Sequence, residues 1–455
     1  MANFFKPSTK KQSAGQVISV LIERLDHNGT GVGKYQNKPV FIESTLPKEQ
    51  VKAKLTETKG KFFKAQLTEV VVPSEQRIQP SCTHFKTCGG CDLQHLTFDQ
   101  HLAYKQKKVI DLFSRNQLLL ALPWQKSITS EPWQYRRKAR IGVQYNKLGE
   151  PIIGFRQRSS NNLVSLKQCP ILIKPAKNIF THLKSVIKML ELPKSIGHVE
   201  VIYTQFITLI IRQLVPLNEH DTELWTSLAD QQQWQIYIDD GKKIKPLTHT
   251  TPLYYQLTDY SSNTQATDLS SVLYNKSLRI YFEPKDFIQV NHNVNESMIK
   301  QAIDWLALKE DDQVLDLFCG LGNFSLPIAQ QVKNVIGVEG QQAMVDKAAF
   351  NAEMNNITNA QFFQSDLNNH WLEQTWADKQ YTKALLDPAR AGAFEAIEQL
   401  IKLNITHVVY VSCDPATLAK DSQLLVSNGY TIEKIAIMDM FAQTKHIETM
   451  VLFKK

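Results

Sequence analysis

A chain of 455 residues exceeds what one ordinary core accommodates, so two or three domains are expected. Hydrophobic residues at 43% and charged residues at 21% exclude a disordered polyelectrolyte, and no run reaches the ~18 apolar residues that span a bilayer. A net charge of +8 with a pI near 8.9 makes polyanions welcome partners without naming one.

The opening Met1-Ala-Asn-Phe-Phe-Lys-Pro has no apolar run before a small-residue cleavage site, which predicts no signal peptide and a cytoplasmic protein. In that compartment the six cysteines are expected to be thiols, metal ligands or catalytic groups rather than disulfides. Residues 1–11 read as a polar, basic tail. From Gln16 to Val72 five short β-type runs alternate with turn signals: Val17–Ile22, the Asn28–Gly33 glycine stretch, Lys38–Ile42, Val51–Leu55 and Phe63–Val70. Such spacing predicts a small OB-like barrel over 12–72. Through Gly29-Thr-Gly-Val-Gly, Pro39-Val-Phe-Ile and Leu46-Pro-Lys-Glu-Gln-Val the stretch resembles a TRAM domain, a small RNA-binding barrel.

Next come Cys82, Cys88 and Cys91, and later Cys169 before Pro170, a Cx₅CxxC…C set. Four thiols fit zinc or a [4Fe–4S] cluster equally by count and spacing. The radical-type CxxxCxxC spacing is not present. A helical run follows, with Leu102, Val109, Leu112 and Phe113 on one face and Lys105, Lys107 and Lys108 on the other. Between Glu131 and Lys167 stand Arg136, Arg137, Lys138, Arg140, Lys147, Arg156, Arg158 and Lys167, interleaved with Trp133, Tyr135, Tyr145 and Phe155. Cations for phosphates and aromatic faces for unpaired bases suit single-stranded RNA. A solvated strand face with its aromatics in the core explains the same residues equally well. Residues 127–280 read as mixed strands and short helices, with a polar loop at Asp259–Asp268.

From Gln313 the pattern becomes alternating βα units. Strands are expected at Val314–Phe318, Val335–Glu339, Ala360–Gln364, Lys383–Asp387 and His407–Ser412, and helices at Ser325–Gln331, Gln341–Asn355, Phe394–Lys402 and from Pro415. Two final strands lie near Ile432–Met438 and Thr449–Phe453. Apolar strands alternating with helices predict an α/β, doubly wound, Rossmann-like sheet with ligands at the strand carboxyl ends. Chemistry-bearing residues gather at those ends. Asp316-Leu-Phe-Cys-Gly320-Leu-Gly322-Asn323 makes a glycine turn, Glu339 ends the second strand, Asp366 follows the third, and Asp387-Pro-Ala-Arg390 follows the fourth. A nicotinamide fingerprint would want a third glycine near Ser325, which is absent. Val411-Ser-Cys413-Asp-Pro-Ala-Thr follows the fifth strand, with Asp414 as N-cap and Pro415 at the first helical position. A thiol beside a helix N-terminus is expected to have a lowered pKa, which marks Cys413 as a nucleophile candidate. His446-Ile-Glu448 places a carboxylate at the start of the last strand.

Phe287-Ile-Gln-Val-Asn, Asp316-Leu-Phe-Cys-Gly, Gly337-Val-Glu-Gly, Asp387-Pro-Ala-Arg, Val411-Ser-Cys-Asp-Pro-Ala-Thr and His446-Ile-Glu together resemble the RNA uracil-C5 methyltransferases. With the barrel and the four cysteines, the whole chain resembles the TRAM-bearing, iron–sulfur branch of that family, which acts on 23S rRNA. The resemblance implies transfer of a methyl group from S-adenosylmethionine to C5 of a specific uracil through a covalent cysteine–C6 adduct. It implies cofactor contacts by Gln289, Phe318, Asn323, Glu339, Asp366 and Asp387, nucleophile Cys413 and general base Glu448. It tips Cys82, Cys88, Cys91 and Cys169 toward a [4Fe–4S] cluster. The implied domains are the barrel, a central α+β iron–sulfur and RNA-binding domain over 73–93 and 127–280, and a methyltransferase domain over 94–126 and 281–455. The implied partner is 23S rRNA, bound by a monomer with no membrane. Another rRNA or tRNA uracil, a redox iron–sulfur enzyme, and a non-catalytic RNA-binding protein are the rivals. The last leaves Cys413 and Glu448 without a purpose.

Overall fold

The computed structural model describes residues 15–118, 121–192, 194–258, 260 and 277–455. The expected N-terminal tail and, Tyr260 apart, the polar segment Asp259–Asp268 lie outside the described residues. The chain divides into two compact units, Met1–Ala103 with Gln443–Lys445, and Tyr104–Ala442 with His446–Lys455.

In the first unit β1 (Val17–Leu25), β2 (Gly31–Tyr35), β3 (Lys38–Ile42), β4 (Gln50–Thr58) and β5 (Phe63–Val72) close into a barrel of order β1-β2-β3-β5-β4. Strict alternation in β1 and β4 sends Ile18, Val20, Ile22, Val51, Ala53 and Leu55 inward, where they pack on Val40, Ile42 and Phe63. The expected five-stranded barrel is therefore formed. Glu49 is fully buried beneath it and receives the Arg77 guanidinium, whose Nη2 lies 2.8 Å from Oε2. The chain then runs through turns that carry Cys82, Cys88 and Cys91. The carbonyl of Gln443 accepts the N–H groups of Asp92 and Leu93 at 2.9 and 3.0 Å.

Helix α1 (Phe98–Arg115) carries the chain into the second unit. There β6 (Lys138–Tyr145), β7 (Pro151–Arg156), β8 (Leu163–Ser165), β9 (Ile196–Tyr203), β10 (Ile207–Gln213), β11 (Gln235–Asp239) and β12 (Ile244–Pro246) form a mixed sheet of order β12-β11-β10-β9-β6-β7-β8. Helices α2 (Ile179–Met189) and α3 (Glu219–Gln232) pack with it. A hairpin of β13 (Leu253–Leu257) and β14 (Leu278–Phe282) and helix α4 (His292–Leu306) lead to the second large sheet.

That sheet contains β15 (Gln313–Leu317), β16 (Asn334–Glu339), β17 (Ala360–Gln364), β18 (Lys383–Leu386), β19 (His407–Ser412), β20 (Thr431–Met438) and β21 (Glu448–Lys454), ordered β17-β16-β15-β18-β19-β21-β20. The first five strands are parallel and β21 is antiparallel between β19 and β20. Between them run α5 (Ser325–Ala329), α6 (Gln342–Met354), α7 (Phe394–Leu400) and α8 (Pro415–Ser427). Alternate residues feed opposite faces. Val314, Leu385, Val409 and Val411 join α4, α5 and the hairpin, whereas Leu315, Leu317, Leu386, Val408 and Tyr410 join α1, α7 and α8. Both faces are covered, as a doubly wound sheet requires. The order reverses at β15/β18, so the crevice opens where the acidic motifs end.

Candidate active site

After β15 the chain turns through three residues of positive φ: Phe318 (65°), Gly320 (54°) and Gly322 (86°). Glycine takes this region freely, but a phenylalanine held there stores strain of the kind found at ligand sites. Glu339, ending β16, turns one carboxylate oxygen to the Gly320 N–H (3.3 Å) and the other to the Gly340 N–H (2.8 Å). Asn323 sits in an amide pair with Asn295 of α4, both contacts 3.0 Å, and its Oδ1 accepts the Tyr255 hydroxyl at 2.9 Å. Asp316 is buried at the end of β15. Its Oδ2 accepts the Ser325 hydroxyl, while Oδ1 has no hydrogen-bond partner among the described residues. Burial pushes this carboxyl up to about 7, against the Ser325 hydrogen bond and with help from the charges of Asp387 and Glu339. Burial likewise raises Asp387 to about 7.

Cys413 lies between β19 and α8, and Glu448 opens β21 beside it in the sheet order. An isolated glutamate ordinarily faces solvent, yet Glu448 is only 9% exposed. Burial pushes its carboxyl up to about 8, Asp387 adds to the shift, and Arg390 and Lys105 oppose it. The Cys413 thiol is pushed up to about 11 by burial, then by Glu448 and Asp387, with Arg390 opposing. This corrects the expectation of a thiol lowered by the helix N-terminus. Asp414 caps α8 as expected, but its carboxylate takes the Ala416 and Thr417 N–H groups at 2.8 and 3.4 Å, so the helix end is already neutralised.

Arg390, to which its motif assigns no role, is held by its own loop. Asp421 of α8 accepts the Ala393 N–H at 2.8 Å and the Tyr410 hydroxyl at 2.6 Å. At Gly392 (φ 85°) a Cβ would meet that same carboxylate at 2.8 Å, so only glycine fits. Electrostatic coupling thus runs from Glu339 and Asp316 through Asp387 to Glu448, Cys413 and Arg390. Gln289 is half-buried on the segment before α4, its carbonyl accepting Arg137 Nε at 2.8 Å. Asp366 is exposed, with its oxygens taken by Asn368 and Asn369. Lys105, expected on a solvent face, is fully buried, and nothing in the apolar spacing marks it.

The basic segment divides. Arg140, Lys147, Arg156 and Lys167 are exposed, but Arg137 is buried, its guanidinium 4.7 Å from the Tyr255 ring centre. Tyr135 is buried with its hydroxyl on the Ala442 carbonyl (2.9 Å), and Phe155 packs edge-on against Phe180. Core packing therefore accounts for these two aromatics, and with Arg140 paired to Glu200 at 2.6 Å, Lys147, Arg156 and Lys167 are the exposed cations left to meet a polyanion.

Cys82, Cys319 and Cys413 are free thiols. Cys91 is buried, Cys82, Cys88 and Cys169 are half-buried, and the Gly90 N–H points to Cys88 Sγ at 3.4 Å. Four soft thiols suit iron–sulfur or zinc chemistry. Among the described residues no group of three His, Cys, Asp or Glu side chains is gathered as a metal site.

A seven-stranded sheet of this order, with its glycine turn and a cysteine–glutamate pair at the strand ends, defines a methyltransferase fold. The solved tRNA (uracil-54, C5)-methyltransferase of Pyrococcus abyssi, in complex with S-adenosyl-L-homocysteine, shares it with a TM-score of 0.73 at 20% identity, over 96% of this chain and 100% of that one. A tRNA (Uracil-5-)-methyltransferase family model matches residues 263–455 and a TRAM domain model matches residues 11–68. A 23S rRNA (uracil(1939)-C(5))-methyltransferase of Colwellia psychrerythraea is 47% identical over 100% of this chain and 99% of its own length. Proteins of the same name from Vibrio vulnificus and Psychromonas ingrahamii are 40% and 38% identical over their full lengths. The chain belongs to the RNA uracil-C5 methyltransferase family. Among the described residues no helix is long and apolar enough to cross a membrane.

Proposed function

We propose that this protein methylates C5 of one uracil of 23S rRNA, the position numbered 1939 in the names of its relatives, with S-adenosylmethionine as methyl donor. The observation that carries the reading is the meeting of Cys413, Glu448, Asp387 and Arg390 at the carboxyl edge of the sheet. Glu339, at the end of the second strand, suits ribose hydroxyls. Phe318, Asn323, Asp387, Gln289 and Asp366 are the remaining donor contacts we assign. The donor supplies an electrophilic methyl group on a positive sulfonium.

Uracil C5 is a poor nucleophile. Addition of the Cys413 thiolate to C6 moves the C5–C6 electron pair onto C5 and O4, giving C5 carbanion character. C5 then attacks the methyl carbon, and S-adenosylhomocysteine leaves with the methyl–sulfur electron pair. Glu448 takes the C5 proton, the C5–C6 double bond re-forms, and Cys413 departs. A general base of this kind contributes about 10²–10⁴-fold. Glu448 is fitted to it because a carboxyl raised to about 8 is, once ionised, a stronger base than an ordinary carboxylate. The Cys413 thiol, raised to about 11, is protonated at neutral pH, and Arg390 together with the donor's positive charge favours its ionisation. For the cysteine set we propose Cys82, Cys88, Cys91 and Cys169 as ligands of a [4Fe–4S] cluster, a reading supported by the soft thiol chemistry of the set and by the family resemblance.

Two variants separate the roles. Cys413→Ala should form no covalent RNA complex and transfer no methyl. Glu448→Gln should methylate its RNA and remain attached, giving a methylated, denaturation-resistant adduct. A 5-fluorouracil substrate should trap the wild type in the same way. Turnover by Cys413→Ala, or normal release by Glu448→Gln, would refute the assignment.

A further inference from the structure

Lys105 is a buried lysine with no place in the chemistry so far. It lies on α1 in a stripe with His101, Val109 and Phe113, each one turn apart and each buried. Its side chain and that of Asp439 are each 1% exposed, and its Nζ lies 2.5 Å from Asp439 Oδ1 and 3.3 Å from the Phe441 carbonyl. Removing two charges from water costs several kcal/mol per ion, and an apolar pair of similar volume would serve stability as well or better. A buried pair retained at that cost is worth asking about.

Its location supplies the answer. Asp439 is the residue after β20, and the last rung of the β20/β21 ladder pairs Met438 with Glu448. Lys105 therefore grips the mouth of the hairpin on which Glu448 stands, holding both the first side chain and a carbonyl of the 439–447 connection. We propose that Lys105 is a positioning residue for the Glu448 base: it fixes the hairpin mouth through Asp439 and Phe441, and it sets a positive charge behind the carboxyl. The inference rests on the base role proposed above for Glu448.

The charge balance around Glu448 supports it. Asp387 and Arg390 face it from the loop after β18 and Cys413 from the turn after β19. Asp439 and His446 lie on its own connection, and Lys105 comes from α1. Burial and Asp387 favour the protonated carboxyl, while Arg390 and Lys105 oppose them. Arg390 is exposed, so solvent screens it, whereas Lys105 is buried with Asp439 as its counter-ion. A base must be ionised to accept a proton. Losing Lys105 therefore raises the pH at which Glu448 becomes competent, without touching the nucleophile.

The test uses full-length protein, S-adenosylmethionine and an RNA bearing the target uracil, with adduct formation and product release timed separately across pH 6 to 10. In Lys105→Met the acidic limb of the release rate should move up by about one unit, so that release at pH 7 slows about tenfold and methylated adduct accumulates. Adduct formation should keep its wild-type pH profile, and Lys105→Arg should restore release. If the single variant fails to fold because Asp439 is stranded, Lys105→Met with Asp439→Asn removes both charges and keeps the net charge beside Glu448, so it should lose only the grip on the hairpin mouth and slow release without moving the limb. A wild-type limb in Lys105→Met, wild-type release in the double variant, or equal slowing of both steps at every pH, overturns the proposal. Failure of the base reading itself looks different: Glu448→Gln would then release methylated product at the wild-type rate, and the inference falls with it.

Discussion

Asp316→Asn offers the sharpest test of the electrostatics at the strand ends. Asp316 is 1% exposed and its carboxyl is raised from 3.8 to about 7, chiefly by burial. Below pH 4 the folded and unfolded chains both hold this proton, and the full stability is present. Between about pH 4 and 7 the unfolded chain releases it while the folded chain keeps it, so stability falls as pH rises through the folded value. A shift of about three units at 1.36 kcal/mol per unit makes the loss about 4 kcal/mol. Coupling to Asp387, also raised to about 7, divides part of that loss between the two groups. Asparagine keeps the shape and can still accept from Ser325, but it cannot titrate. Its extra buried N–H costs about 1–3 kcal/mol at every pH, so the slope is the measurement rather than the absolute value. Urea unfolding at pH 5, 6, 7 and 8, without added methyl donor, should show wild type losing stability faster than Asp316→Asn. Parallel curves would mean that Asp316 is ionised in the folded protein over this whole range and that its burial has been misread.

Two further outcomes are expected. Replacing the exposed Lys147, Arg156 and Lys167 by alanine should weaken RNA binding and reduce the slope of log affinity against log salt by about 2, at about 0.7 per phosphate on a single strand. An unchanged slope would make them a solvated face, and donor affinity serves as the control. Protein prepared without oxygen should contain about four irons per chain and lose them in Cys88→Ser. Stoichiometric zinc without iron would refute the cluster.

Much of this architecture was legible because parallel strands buried on both faces read as apolar runs. Val314–Phe318, Val335–Glu339 and His407–Ser412 are such runs, and their ends match the strands to within one residue. The barrel was legible for the opposite reason, since β1 and β4 alternate strictly. The basic segment was half legible. In β6 the inward positions Ala139, Ile141 and Val143 fix the strand, but spacing did not say that Arg137, just before it, would turn inward onto Tyr255.

What escaped the sequence is of one kind. Helix α1 was read by its apolar spacing, which placed Lys105 in solvent because a charge on the buried face violates the period. Its partners, Asp439 and the Phe441 carbonyl, lie more than three hundred residues further on, so no local pattern announces them. The same holds for Cys413, whose helix N-terminus is legible while the opposing carboxylates of Glu448 and Asp387 come from other strands. Periodicity reports where apolar surface goes, whereas a buried charge is placed by a partner that the fold must first bring near. Functional groups with shifted acidity are therefore the residues that a local reading is least equipped to find. In this protein they stand at the edge where five parallel strands end together, and Lys105 reaches that edge from a helix whose apolar face the period places correctly while putting this one lysine in solvent.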